Sequence, residues 1–131
     1  MNTEKLPYAE RYQDLLAYTK SLYLAEMVFQ ETKSFPKEEI YSLTDQLRRA
    51  SRSVGAQIAE AWGKRMYIRH FITKLTDASA ELTETEHWLD IAHKCEYINE
   101  STREELIHLC NEINRLVNGM IVKACYFCKN D

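Results

Sequence analysis

The spacing of the apolar residues constrains the fold of this chain more than any other feature. In four long segments they recur alternately three and four positions apart, which places them on one side of a helix that turns about 100° per residue. The four apolar stripes are Leu15, Tyr18, Leu22, Ala25 and Phe29; Ile40, Leu43, Leu47, Ala50, Val54, Ile58 and Ala61; Phe71, Leu75, Ala78, Leu82, Thr85, Leu89 and Ala92; and Leu106, Cys110, Ile113, Val117, Met120, Ala124 and Phe127. They predict four long amphipathic helices.

Turn-forming residues are scarce in the chain. Its 131 residues include three glycines and two prolines, and no Asn-Gly, Asp-Gly or Gly-Gly pair marks a tight hairpin, which excludes most all-β folds. The predicted helices span about 8–33, 36–62, 66–96 and 102–127. Such short connections make neighbouring helices antiparallel. We therefore predict a single all-α domain over residues 1–131, an antiparallel up-down-up-down four-helix bundle.

Three local signals set the predicted helix ends. Pro36 lacks an N–H group and so suits the first turn of the second helix. Gly63 suits a left-handed residue that ends this helix. Ser101 and Glu104 form a capping box that would begin the fourth helix.

The segment from residue 35 to residue 63 resembles a known family, the four-helix bundle proteins encoded by intervening sequences inside bacterial 23S ribosomal RNA genes. The matching positions are Phe35-Pro36, Glu39, Tyr41, Leu43, Gln46-Leu47-Arg48-Arg49-Ala50, Ser53-Val54, Ile58-Ala59-Glu60, Glu81, Glu84 and Tyr97-Ile98. Two positions depart from the family pattern, which often has asparagine in place of Gln57 and glycine in place of Ala61.

The resemblance implies a homo-oligomer, by likeness a pentamer, with no established enzymatic activity. A related branch, the accessory variability proteins of diversity-generating retroelements, resembles basic barrels that engage nucleic acid and a reverse transcriptase. This chain has a net charge of -3 and lacks the overall basicity of that branch. The expected partner is therefore another copy of the chain, with RNA, DNA or a nucleic-acid enzyme as further partners to test.

Positive charge is concentrated in one part of this acidic chain. Residues 48–74 hold seven cationic side chains against Glu60 alone: Arg48, Arg49, Arg52, Lys64, Arg65, Arg69 and Lys74. Such a cluster is typical of phosphate contact, and the set at the turn (Lys64, Arg65, Arg69 and Lys74) is the candidate nucleic-acid site. The alternative is ion pairing, which we favour for Arg48, Arg49 and Arg52. Their partners would be carboxylates of the third helix such as Glu81 and Glu84, or carboxylates of another subunit.

The second helix has a further face of small residues. Gly55, Ala56 and Ala59 lie away from its apolar stripe, together with Arg49 and Arg52. Small side chains let another helix approach closely, so these five residues are the candidate subunit interface. The alternative is a solvent-exposed surface of short side chains. The aromatic residues Trp62, Tyr67 and Trp88 could extend the contact or pack in the core.

Two motifs resemble metal sites but do not predict one. In the Glu-x-x-His pairs Glu84/His87 and Glu105/His108, the helical count turns all four side chains away from the bundle interior. In the Cys125-x-x-Cys128 pair, the remaining cysteines lie about 22 Å away along the last helix, so apolar packing is the favoured interpretation. We predict no metal, no cofactor and no catalytic residues.

The remaining features bear on location and function. The N-terminal segment has no uninterrupted apolar region typical of a signal peptide, and no segment reaches the roughly 20 apolar residues of a membrane span. We expect a cytoplasmic protein with reduced cysteines and no membrane partner. The predicted function is a non-enzymatic, self-assembling scaffold or adaptor. The alternative is a nucleic-acid-binding module that uses the basic turn.

Overall fold

The four apolar segments form four long helices in a computed structural model that describes residues 9–128. The elements are α1 (Leu16–Thr32), α2 (Leu43–Gly63), α3 (Ile68–Lys94), α4 (Glu100–Val122) and a short α5 (Ala124–Phe127), with 3₁₀ turns at Tyr12–Asp14 and Lys37–Glu39. Helix α1 packs against α2 and α4, and α3 packs against the same two helices. The prediction of an all-α, up-down-up-down four-helix bundle is confirmed.

The predicted core of the second, third and fourth helices is largely correct. All seven predicted positions of α3 are buried, as are those of α2 from Leu43 onward. Leu47 and Leu82, at the middle of their helices, are each 1% exposed. Ile40 is an exception, because it precedes α2 and is half exposed.

The predicted stripe of α1 is wrong beyond its first residues. Leu22 is 51% exposed, whereas the core positions of the helix are Ala17, Ser21, Leu24, Val28 and Thr32. The two polar residues can be buried because their hydroxyls donate to carbonyls of the preceding turn: Ser21 to Tyr18 at 2.7 Å and Thr32 to Val28 at 2.8 Å.

Helix α2 begins seven residues later than predicted. Pro36 is followed by a 3₁₀ turn rather than by the helix itself. The carboxylate of Glu39 then accepts from the Ser42 hydroxyl at 2.7 Å and from the Leu43 N–H at 3.3 Å, so it stabilises the start of α2 from outside the helix. The predicted left-handed Gly63 is also wrong, because this residue is the last helical residue of α2 and its φ is not positive.

The last long helix also differs from the prediction at both ends. Asn99, not Ser101, caps α4, because its side-chain oxygen accepts from the N–H of Thr102 at 2.8 Å. The helix breaks at Lys123, and α5 then turns the ring of Phe127 onto Phe71, with 5.7 Å between ring centroids. Residue 8, the predicted start of the first helix, lies outside the described residues, but the prediction of helix over residues 9–15 is wrong, because α1 begins only at Leu16. The Asp14 carboxylate accepts from the N–H groups of Glu10 and Arg11 and so holds this stretch in a 3₁₀ turn. Among the described helices, none has the length and apolarity that a membrane crossing requires.

Candidate assembly and anion-binding surfaces

Helix α1 packs closely on α2 at Gly55. A Cβ atom at this position would lie 2.8 Å from the Oγ of Ser21 and 3.5 Å from the ring of Tyr18. The residue is therefore buried by its own chain. The sequence-based argument that Gly55 needs an outside partner for its burial is wrong, and the glycine instead explains how α1 can pack with Ser21 inward.

The other small residues remain accessible beside a groove between α1 and α2. Ala56 is exposed and Ala59 is half-buried. The groove, which we call the α1–α2 groove, has a volume of about 320 Å³ and is lined by Tyr12, Tyr18, Leu22, Arg52, Gly55, Ala56 and Ala59. Apart from the Arg52 guanidinium and the tyrosine hydroxyls, its side chains are apolar. The face thus combines small and apolar residues on two helices.

Helix α1 has three large apolar side chains that are exposed to solvent. Leu16, Leu22 and Tyr23 are each more than half exposed, at 55%, 51% and 53%. Single exposed apolar residues are common on protein surfaces, and of these three only Leu22 lines the α1–α2 groove. Leu16 and Tyr23 lie roughly 100–120° away from Leu22 around the helix, on the side of Lys20, which pairs with Glu112 of α4. The apolar spacing predicted a core position for Leu22, so this surface was not predicted from the sequence.

Arg48 does not form the predicted ion pair with Glu81 and Glu84. Its Nε donates to the hydroxyl of Thr32 at 2.7 Å, and its guanidinium lies 4.8 Å from the ring centroid of Phe29 on α1. Within residues 9–128, no carboxylate lies within 4.0 Å of its charged nitrogens. The arginine points toward α1 because Thr32 and Phe29 offer a hydrogen bond and a cation–π contact there.

The predicted partners of Arg48 lie in a second groove, between α2 and α3. This groove of about 440 Å³ is lined by Gln46, Arg49, Ala50, Arg52, Ser53, Glu81 and Glu84. Burial and the neighbouring Glu84 raise the pKa of Glu81 above its ordinary value. In the described part of the chain neither glutamate forms an ion pair, and Arg49 reaches only Asp45, at 4.0 Å.

Lys74 is the one member of the predicted nucleic-acid site that forms ion pairs within the described residues. Its ammonium lies 2.7 Å from a carboxylate oxygen of Glu60 and 3.9 Å from one of Asp77, and it donates to the side-chain carbonyl of Gln57 at 3.2 Å. The hydrogen bond to Glu60 raises the pKa of Lys74. Its charge is therefore largely matched within the chain, which favours the ion-pairing alternative for this residue.

The other three cations remain at the turn between α2 and α3. Arg65 is held in place, because its Nε donates to the Trp62 carbonyl at 2.8 Å and its guanidinium stacks 3.6 Å from the Trp62 ring centroid. Lys64 and Arg69 are exposed, and neither forms an ion pair within the described residues. Trp62 packs against the core, whereas the neighbouring Tyr67 is 60% exposed.

The C-terminal end of the described chain adds to this basic turn. Helix α5 packs on α3, with the ring of Phe127 stacked on Phe71 near the start of α3, which places the two segments side by side. Exposed Lys123 and Tyr126 lie in this second segment. The segments 61–73 and 113–128 contain no aspartate or glutamate, a pattern that is visible in the sequence but did not enter the prediction. We call this part of the surface the basic end.

The cysteines and histidines form no metal site in the described part of the chain. All four cysteines are free; Cys110 is buried as predicted, and burial raises its pKa to about 12. Cys128 packs against the core, whereas Cys125 is exposed, so the prediction of apolar packing is wrong for Cys125. Both Glu-x-x-His pairs lie on exposed positions. Within residues 9–128, no group of three or more His, Cys, Asp or Glu side chains could hold a metal ion.

Comparison with known proteins places the chain in one family. The family model described as 23S rRNA-intervening sequence protein matches residues 13–119, which include all four long helices apart from the last residues of α4. This chain belongs to that family. A similar solved structure is a crystal structure of a protein of unknown function from the S23 ribosomal protein family of Bacteroides thetaiotaomicron, with 29% identity and a TM-score of 0.72. The match covers 81% of this chain and 98% of that one. A comparison with curated proteins found no match.

Proposed function

We propose that this member of the 23S rRNA-intervening sequence protein family is a non-enzymatic scaffold that assembles with identical copies through the outer face of α1 and α2. The observation that carries the proposal is the combination of one exposed apolar residue on α1, Leu22, with small residues on α2. Leu22 is 51% exposed directly beside Ala56 and Ala59 in one groove. A partner helix can approach closely there, and burying the apolar side chains favours association.

The geometry also favours a scaffold over an enzyme. The two grooves along α2, of about 440 and 320 Å³, are open surface features whose charged residues have ordinary partners or none within the described residues. Catalytic sites instead bring together a nucleophile, a base and donors for developing charge in one concave site. The family resemblance to oligomeric bundles supports assembly into a ring of five, in which each copy uses the same two surfaces.

A bulky substitution in the α1–α2 groove tests the assembly. We expect the wild-type protein to have a mass in light scattering well above the 15.4 kDa of one chain. Ala56→Trp places an indole where a partner would approach, so the mass should fall while far-ultraviolet circular dichroism stays helical. A wild-type protein that runs as a monomer at micromolar concentration would contradict the proposal.

The matched control is Ala80→Trp. Ala80 is an alanine on the outer side of a long helix, but it lies on α3, away from the groove. This variant should keep the wild-type mass. If both tryptophan variants dissociate, the effect is not specific to the α1–α2 face, and the proposed interface is wrong.

A second candidate function is nucleic-acid binding by the basic end. The observation that favours it is the combination of Lys64, Arg65, Arg69 and Lys123 with exposed Tyr67 and Tyr126, in segments without a carboxylate. Cations displace counterions from the phosphate backbone, and exposed aromatic rings can stack on unpaired bases. This chemistry suits a single strand better than a duplex.

A titration with labelled single-stranded RNA and DNA at several salt concentrations tests this candidate. The variant Lys64→Glu/Arg69→Glu should weaken binding and reduce the slope of log affinity against log salt by about 1 for each phosphate group that the protein no longer neutralises. The control Lys37→Glu/Lys94→Glu makes the same charge change at exposed lysines near the opposite end of the bundle, and it should bind as wild type does. Absence of wild-type binding at low salt would remove the candidate.

A further inference from the structure

The connection before α2 carries an apolar projection that the chain itself leaves uncovered. Tyr41 is 92% exposed, the highest value among the large apolar side chains of residues 9–128, and its neighbour Ile40 is 50% exposed. Both follow the 3₁₀ turn at Lys37–Glu39. We call these two residues the Ile40–Tyr41 projection.

The projection is held on a fixed part of the backbone. Glu39, directly before it, accepts hydrogen bonds from the Ser42 hydroxyl, the Leu43 N–H and the Tyr97 hydroxyl at 2.7, 3.3 and 2.9 Å. Phe35, on the other side of the turn, is buried against Tyr97, with 5.2 Å between the ring centroids. A segment anchored on both sides loses little further freedom when a partner covers it, which favours binding.

The α1–α2 groove has the complementary properties. Its volume of about 320 Å³ gives room for an aromatic side chain, and its apolar wall is formed by residues such as Leu22 and Ala59. Arg52 is the one charged residue that lines this groove; it has no ion pair in the described chain, and its guanidinium lies 5.7 Å from the ring centroid of Phe29. The turn before the projection carries one cation, exposed Lys37, against two carboxylates, those of exposed Glu38 and half-buried Glu39. The charges of the two surfaces are therefore opposite.

Within one chain these two surfaces cannot meet. The projection precedes the start of α2, and Ala56 lies thirteen residues after Leu43, which is about 20 Å along a helix at 1.5 Å per residue. We propose that the Ile40–Tyr41 projection of one copy inserts into the α1–α2 groove of the next copy, with Glu38 opposite Arg52. The inference rests on the proposed self-assembly and names the surfaces that meet. Such a contact joins unlike surfaces, so every copy offers one of each, as a closed ring requires.

Removal of the aromatic ring tests the projection. Tyr41→Ala should lower the mass measured by light scattering to that of one chain, with circular dichroism unchanged, because Tyr41 makes little contact within its own chain. The control is Tyr126→Ala, which removes another tyrosine, 81% exposed, from α5 and should leave the mass unchanged. An assembled Tyr41→Ala protein would overturn the inference.

Mixing two defective variants gives a sharper test. Tyr41→Ala lacks the projection but keeps the groove, whereas Ala56→Trp fills the groove but keeps the projection. When mixed they should form a heterodimer of about twice the single-chain mass, because one intact contact remains and neither variant can extend it. A mixture that stays monomeric while the wild type assembles would overturn the inference.

A charge exchange tests the orientation of the contact. Glu38→Arg and Arg52→Glu should each reduce assembly, and the double variant should recover it. Failure of the double variant to recover more assembly than either single variant would contradict the placement of Glu38 opposite Arg52. These results separate the two proposals: a monomeric wild type overturns self-assembly itself, whereas an assembled Tyr41→Ala protein overturns only the inserted projection.

Discussion

Helices α1 and α3 occupy equivalent places in the bundle, since each packs against both α2 and α4, yet they use their apolar residues differently. Helix α3 buries Phe71, Leu75, Ala78, Leu82, Thr85, Leu89 and Ala92 within the chain. Helix α1 buries two hydroxyl residues, Ser21 and Thr32, and leaves Leu16, Leu22 and Tyr23 more than half exposed. Apart from Ile68 at its first position, which is 38% exposed, α3 buries its large apolar residues fully or partly within one chain, whereas α1 retains apolar surface that a second copy can cover.

The largest expected effect is a difference in stability loss between a leucine substitution on α3 and one on α1. Leu82→Ala on α3 should lower the free energy of unfolding by about 2–5 kcal/mol. The Leu82 side chain is only 1% exposed, so its removal leaves a cavity in the core. Leu22→Ala on α1 removes a half-exposed side chain and should cost less than about 1 kcal/mol in the dilute protein. Reversible urea denaturation measures both.

Protein concentration provides the control for this comparison. If Leu22 lies in a contact between copies, the loss caused by Leu22→Ala grows as the concentration rises, because association stabilises the folded state by mass action. The loss caused by Leu82→Ala should change much less. A Leu22→Ala variant as unstable as Leu82→Ala in dilute solution would show that this face of α1 belongs to the core.

The same two helices show what the sequence can predict. On α3 the apolar residues form a single stripe, so counting by 100° per residue finds every buried position. On α1 apolar residues lie on two sides, and the count selects the side of Leu22. The count does not reveal that the hydroxyls of Ser21 and Thr32 donate hydrogen bonds to carbonyls of their own helix, or that Gly55 leaves space for Ser21. Burial of polar residues depends on such contacts, which residue class alone does not reveal.

The candidate sites were predictable to a lesser extent. The concentration of charge around the α2–α3 turn is visible in the sequence, but the partners of each cation depend on neighbouring helices. Lys74 is matched by Glu60, and Arg48 turns to Thr32, neither of which follows from the spacing within α2. The exposure of Tyr41 depends on the late start of α2, which Glu39 sets through hydrogen bonds made outside the helix.

A smaller effect tests why α1 packs with Ser21 inward. Gly55→Ala gains about 1 kcal/mol of helix propensity, but its Cβ would lie 2.8 Å from the Ser21 Oγ, and overpacking typically costs about 1–3 kcal/mol. We expect a net loss of stability in the wild-type background. In a Ser21→Ala background the clashing oxygen is absent, so Gly55→Ala should be neutral or stabilising. Additive effects of the two substitutions would contradict this account of the close approach.

The smallest expected effect is a pH dependence at the contact that joins the end of α3 to the connection after α1. Hydrogen bonds from Ser42 and Tyr97 hold the pKa of the Glu39 carboxyl below its ordinary value, and the bond to Glu39 raises the pKa of Tyr97 to about 12. A lowered carboxyl pKa stabilises the fold above the unfolded value of about 4.3, and this contribution is lost as the pH falls. A raised tyrosine pKa stabilises the fold below about pH 10, and this contribution is lost as the pH rises toward 12.

Unfolding free energies measured across both pH ranges test these signs. Glu39→Gln should lose less stability than wild type between about pH 5 and pH 3, because no carboxylate remains at this position to be protonated. Tyr97→Phe should remove the part of the alkaline loss that Tyr97 contributes, but not the parts from Tyr18 and Cys110, whose pKa values are also raised. It should keep part of the acid loss, since the bond from Ser42 to Glu39 persists. Other carboxyls with lowered pKa values, those of Asp14, Glu60 and Glu112, also titrate in the acid range, so the difference between wild type and variant is the quantity to compare. Parallel curves for wild type and Tyr97→Phe would mean that the hydrogen bond from Tyr97, just after the end of α3, does not stabilise the connection that carries the Ile40–Tyr41 projection.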